Sequence, residues 1–201
     1  MVRDVAGTKR KIAAAGLVEF AEYGPHGTTV ERIAARAGVN KERIYAYFGG
    51  KTALFSTLVR EKVDQVAAAV PLVVSSVEDL GTFAGASFDY QVAHPELARL
   101  LVWEGMADTG AVPEEAARGA LYRAKVEAVA GAQRCGAIDD GIDPAHLIFL
   151  IFALVSWWSA SPHIARMLSA HHGDDQLSRR RASVIEATIR LGGVDPLRWT
   201  P

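Results

Sequence analysis

Between Thr28 and Lys51 the sequence TTVERIAARAGVNKERIYAYFGGK leaves room for only two short helices with a tight turn between them. Thr28 followed three residues later by Glu31 fits a capping box, in which a hydroxyl and a carboxylate satisfy the free N–H groups of a helix start. Val30, Ile33, Ala34 and Ala37 then recur at i, i+3, i+4 and i+7, giving one apolar face with Glu31, Arg32, Ala35 and Arg36 largely off it. Gly38 follows the last periodic residue, where a left-handed backbone ends a helix at little steric cost. Asn40 offers an N-cap to a second helix, with Ile44 and Phe48 inward and Lys41, Glu42, Arg43, Tyr45 and Tyr47 outward. Two tyrosines beside Lys and Arg are unusual on a face made only for solubility.

Helices joined in this way match the helix-turn-helix, whose second helix enters the DNA major groove. The run also resembles the tetracycline-repressor (TetR) family of bacterial regulators: Thr28-Thr29-Val30, Ile33-Ala34, Ala37-Gly38-Val39, Ile44-Tyr45, Tyr47-Phe48, Lys51 and Leu54-Phe55 fall at that family's spacing. The resemblance covers the first quarter of the chain. It implies that Thr29 and Lys51 contact phosphates, Lys51 from the first turn of a fourth helix, where the helix N-terminus also favours anions. It implies that Tyr45 and Tyr47 touch phosphate or base edges, and that Lys41, Glu42 and Arg43 lie where bases are read. Glu42 departs from the small residue or proline common there. Its carboxylate needs either a cytosine N4 donor, which would help specify the operator, or a neighbouring Arg or Lys, the plainer reading.

A preceding helix supports this pair, with Ala13, Gly16, Leu17, Phe20 and Ala21 as its stripe and Gly24-Pro25 as its stop. Thr8-Lys9-Arg10-Lys11 ahead of it is either a solvated end or a further electrostatic contact to DNA.

The net charge of -1 hides an asymmetry. Residues 1–63 hold 11 Lys and Arg against 6 Asp and Glu, a net of +5, while residues 64–201 hold 11 against 17, a net of -6. A basic reader attracts phosphate and an acidic body is held away from it. The single cysteine, Cys135, cannot form an internal disulfide, and no signal peptide opens the sequence, so a cytoplasmic location is expected. The apolar run Leu147–Val155 is shorter than the roughly 20 residues a membrane span needs, and a helix buried on all sides is expected instead.

After the reader, periodicity and breaks predict helix throughout. A fourth helix runs from Lys51 to about Val70, with Leu54, Phe55, Leu58, Val59 and Val66 inward. Others follow over about 76–93, 95–108, 113–134, 144–169 and 178–191, with Pro162 kinking or splitting the penultimate one. The expected fold is all-α: a helix-turn-helix DNA-binding domain over 1–52, then a helical effector-binding and dimerisation domain over 53–201, with 53–70 as the linking helix. The resemblance implies a homodimer through about 144–160 and 178–191, with Val184, Ile185, Thr188, Ile189 and Leu191 facing the partner, and an inverted-repeat duplex operator. It also implies a repressor released by a small, largely apolar effector. Phe88, Tyr90, Trp103, Glu104, Tyr122, Phe149 and Phe152 are the candidate effector contacts, although aromatic residues at helical spacing usually serve the core.

Other chemistry is thinly represented. His171-His172 with Asp174-Asp175 lacks the spacing of a zinc helix, and neither Glu114-Glu115 nor Asp139-Asp140 converges as an acid–base pair does. No phosphate loop or nucleophile elbow is present in the sequence. An enzyme is not expected, nor a metal or cofactor. A helical carrier or enzyme with an incidental helix-turn-helix, and a regulator answering to a protein partner, are the alternatives.

Overall fold

The computed structural model describes residues 4–107, 112, 114–169 and 176–193, and every regular element among them is a helix. In order these are α1 (Val5–Gly27), α2 (Val30–Ala37), α3 (Lys41–Phe48), α4 (Lys51–Ala69), α5 (Val77–Ala93), α6 (Pro95–Met106), α7 (Glu115–Arg134), α8 (Pro144–Ala160), α9 (Pro162–Ser169) and α10 (Leu177–Gly192). The breaks follow the predicted punctuation. Pro71 follows α4, Pro95 opens α6, and Asp143 caps α8 by accepting from the N–H groups of Ala145 and His146, with Pro144 in the first turn. Pro162 splits the helix expected over 144–169, and the two pieces meet at 83°. Its ring cannot donate to the ladder and crowds the preceding turn. The 171–175 loop lies outside the described residues, as does much of the turn between α6 and α7.

The chain forms two compact units. One contains α1–α3, α6 and α4 as far as Gln65; the other contains α5, α7–α10 and the end of α4 from Val66. In the first, Ile12, Phe20, Ile33, Ile44 and Leu54 are fully buried, with Phe20 edge-on to Phe55 at 5.1 Å. Each such side chain is worth about 1.5–3 kcal/mol in burial. The buried stripe of α1 is centred on Ile12, Ala15, Gly16, Glu19 and Phe20. Ala13, Leu17 and Ala21 are at its edge, so the expected stripe is rotated by about a residue. Gly24, at φ 70° and ψ 174°, breaks α1 where the sequence places its stop.

In the second unit Leu80, Phe83, Phe88, Val129, Leu147, Ile151, Val155 and Val184 form one core. Gln133 Nε2 donates to the carbonyls of Asp139 and Ile142 and so fastens the loop ahead of α8. Two expectations need correction. α8 is not buried on all sides in the single chain: Leu147, Ile148, Ile151 and Val155 face the core, while Phe149 and Trp157 are 73% and 61% exposed. The apolar stripe of α10 is used within the chain. Val184 and Thr188 are buried, and Ile185 and Ile189 lie over Gly81 and Gly85 of α5, where a Cβ would come within 2.8–2.9 Å of them. Ala182, Ser183 and Glu186 are on the exposed side of α10.

Candidate nucleic-acid interface

The reader is built around the α2–α3 turn. Gly38 takes φ 64°, ψ 38°, and its N–H and that of Val39 close the end of α2 onto Ala35 and Ala34. At the start of α2 the cap is Thr29 rather than Thr28. The Thr29 hydroxyl accepts from the Arg32 N–H at 3.3 Å, while Thr28 is buried and turns its hydroxyl to Glu19. The cap is thus displaced by one residue, which puts Arg32 rather than Glu31 at the third helical position and leaves the expected box unformed, because Thr28 has a stronger, charged acceptor across the helix pair. Asn40 occupies the cap position of α3 without a side-chain bond.

On α3, Ile44 is fully buried and anchors the helix, and Phe48 is only half-buried. Lys41, Glu42, Arg43 and Tyr45 are exposed, Tyr45 by 55%. Tyr47 is half-buried, with the Lys9 ammonium 5.9 Å from its ring centre. That contact gives the basic N-terminal run a place beside the helix. Lys41 pairs with Glu31 at 3.1 Å, and this hydrogen bond raises the ammonium's pKa above its ordinary value. Glu42 therefore does not make the local ion pair expected of it. Among the described residues it has no ion-pair partner. Arg43 reaches Thr8 only at 3.5 Å. Lys51 donates to the Thr28 carbonyl at 2.8 Å, which draws the first residue of α4 to the start of α2.

Sequence reasoning missed Glu19. This carboxylate is 3% exposed on the core stripe of α1 and accepts from Thr28 Oγ1 at 2.8 Å, Arg32 Nε at 2.9 Å and Arg36 Nε at 2.8 Å. Burial pushes its pKa up, but the bonds from Arg36, Thr28 and Arg32, with the charge of Arg32, outweigh burial and hold it below the ordinary value. The Arg32 guanidinium also lies 4.1 Å from the Tyr23 ring centre. The signal in the sequence was a carboxylate at i+7 from Ile12, on a buried face, with arginines four apart on the next helix.

The seven effector candidates are divided between the units. Trp103 and Glu104 belong to the first, where the Trp103 indole lies against Gly24. In the second, Phe152 lies 6.1 Å from Tyr122 and 6.4 Å from Phe83 between ring centres. Phe88 is in the core, Tyr90 lies tilted against His94 with 4.4 Å between ring centres, and Phe149 is on the exposed side of α8. Lys125, also missed, points its ammonium at the Phe83 ring, 4.8 Å from the centre, and donates to the Val70 carbonyl at 3.3 Å. Burial pushes its pKa down.

A glycine-turned helix pair with one buried isoleucine and an exposed Lys, Arg and Tyr face is the build of a helix-turn-helix DNA-binding protein. Residues 12–58 match the family model described as "Bacterial regulatory proteins, tetR family", and residues 79–190 match "Tetracyclin repressor-like, C-terminal domain". The chain is 39% identical over 190 residues to the HTH-type transcriptional repressor SCO4008 of Streptomyces coelicolor, covering 94% of this chain and 97% of that protein. It is 30% identical over 200 residues to the HTH-type transcriptional regulator RutR of Escherichia coli K12, covering 96% and 93%. The crystal structure of the putative transcriptional regulator SCO4942 from Streptomyces coelicolor superposes with a TM-score of 0.80 at 32% identity, covering 92% of this chain and 98% of that one. The chain belongs to the TetR family and is a DNA-binding transcriptional regulator. Members of this family bind operator DNA, dimerise and bind small-molecule effectors. Among the described residues no single helix is long and apolar enough to cross a membrane.

Proposed function

We propose that the chain acts as a homodimeric repressor that holds an inverted-repeat duplex operator and is released from it by a small, largely apolar effector. The observation that carries this reading is α3 itself, buried through Ile44 and open through Lys41, Glu42, Arg43 and Tyr45. One such helix reads too few base pairs to bind tightly alone, and a two-fold dimer presents two at the spacing of successive half-sites. Lys41, Arg43 and Tyr45 read base edges, Glu42 accepts from a cytosine N4, and Thr29, Tyr47 and Lys51 hold phosphates. Lys51 uses one of its three donors on Thr28, leaving two for an anion.

Residues 1–52 are the reader and 53–201 the body, joined by 53–70. The second copy covers the open face of α8, where Phe149, Leu150 and Trp157 form an exposed apolar surface, together with the outer side of α10 over 178–191. The effector contacts are drawn from Phe88, Tyr90, Tyr122 and Phe152 of the second unit. To relieve repression the effector must bind better to the conformation that does not hold DNA. The name of SCO4008 as a repressor supports this direction of regulation. The protein works in the cytoplasm, without a catalytic role.

The test is selection from a random duplex DNA pool at roughly physiological salt, where non-specific binding is weak. An enriched inverted repeat is the expected result. No enrichment at any salt concentration overturns the reading.

A further inference from the structure

Glu19 is an unusual residue for the place it occupies. An apolar side chain would continue the α1 stripe there, and exchanging buried charges for well-fitted apolar groups is often neutral or stabilising. What a carboxylate offers is direction. Its oxygens accept from three side chains of one short segment: the Thr28 hydroxyl just ahead of α2, then Arg32 and Arg36 one turn apart on it. Both arginines donate Nε, so they are held at the base of the guanidinium and remain 45% and 42% exposed. Thr28 is itself 1% exposed, and its carbonyl is the acceptor for Lys51 Nζ. A chain of short hydrogen bonds therefore runs from α1 through the start of α2 to the first residue of α4.

We propose that Glu19 is a positioning residue for operator binding: through Thr28 it sets the Lys51 ammonium beside the Thr29-capped start of α2, and through Arg32 and Arg36 it fixes the rotation of α2 against α1. This rests on the phosphate role given to Lys51 above. Glu19 itself touches no DNA. Its effect is geometric, and geometry separates specific from non-specific binding, since the latter follows the number of cations and tolerates their displacement.

The test uses the full chain as wild type, Glu19→Gln, Thr28→Val and Lys51→Met, each shown to be folded by circular dichroism. Anisotropy titrations with the selected operator and with an unrelated duplex are run at one salt concentration, well below every melting temperature. Glu19→Gln and Thr28→Val are expected to weaken operator binding by about tenfold, as loss of a buried partner does. Binding of the unrelated duplex is expected to stay constant or tighten, because Glu19→Gln removes a negative charge. Combined with Lys51→Met, the losses are expected to be less than additive.

The inference is overturned if operator affinity per folded dimer stays within about twofold of wild type while only the melting temperature falls. Equal weakening on both duplexes overturns it as well. A silent Lys51→Met refutes the phosphate reading and the Lys51 arm with it, whereas a weakened Lys51→Met beside a silent Glu19→Gln refutes this inference alone. Thr28→Val leaves both arginine bonds in place and carries the test if Glu19→Gln does not fold.

Discussion

Trp103 closes directly over Gly24: a Cβ built on that glycine would lie 2.7 Å from Trp103 Cδ2 and 2.8 Å from Cε2. The contact joins α6 to the point where α1 breaks, within the unit that carries the reader. The Trp103 indole thereby seals the break in α1.

Gly24→Ala meets two penalties, the collision with the indole and a backbone at φ 70°, ψ 174° that only glycine adopts readily. A loss of about 2–4 kcal/mol is expected. Calorimetry should record a fall in melting temperature on the order of 5–15 °C. Adding Trp103→Leu is expected to recover part of the loss, since it removes the collision and leaves the backbone strain.

Acid titration of stability isolates Glu19. Its pKa is depressed in the folded chain relative to the ordinary value of 4.5, so its contribution is complete above that value and disappears as pH falls from there through the lower folded value. Urea midpoints of the wild type are expected to drop over this acidic window, and those of Glu19→Gln to follow a flatter curve. Parallel curves would remove the carboxylate from the account.

Salt dependence counts phosphate contacts. Lys51→Met is expected to weaken operator binding and to reduce the slope of log Kd against log salt by about one. An unchanged slope would mean that the Lys51 ammonium serves only the Thr28 carbonyl.

The open face of α8 predicts the assembly. Trp157→Asp places a charge on an exposed apolar surface whose removal from water would accompany dimer formation. Sedimentation velocity is expected to move from dimer to monomer, with operator affinity falling at least about tenfold. A dimer that survives both Trp157→Asp and Phe149→Asp lies elsewhere.

Close approach of α5 and α10 depends on two missing side chains. Gly81→Val sets new methyls against Ile189, already 2.8 Å from the position of a Cβ. Overpacking of this kind costs about 1–3 kcal/mol, readable as a shift in urea midpoint.

Helix positions were legible because prolines and glycines act locally: Gly38, Pro71, Pro95 and Pro144 each end or open a helix by its own backbone chemistry. The outward set on α3 was legible because a helix of eight residues has few ways to bury one isoleucine. Three features were not. Thr28 and Thr29 are equivalent caps in sequence, and only the position of Glu19 across the pair decides between them. The apolar side chains of α10 read equally well as a partner face or a core face until the glycines of α5 admit them. Trp103 and Tyr122 carry the same polar-plus-aromatic signature, yet they belong to different compact units. Such distinctions depend on residues distant in sequence, which periodicity does not report.

The corner at Ser161–Pro162 also bears on what the apolar run beginning at Pro144 can span. Joined end to end, α8 and α9 would match a bilayer span by length and composition alone, but the bend leaves pieces of 17 and eight residues, each below the roughly 20 that a hydrocarbon core takes. A single pyrrolidine ring thus keeps an apolar run of bilayer length from forming one straight rod.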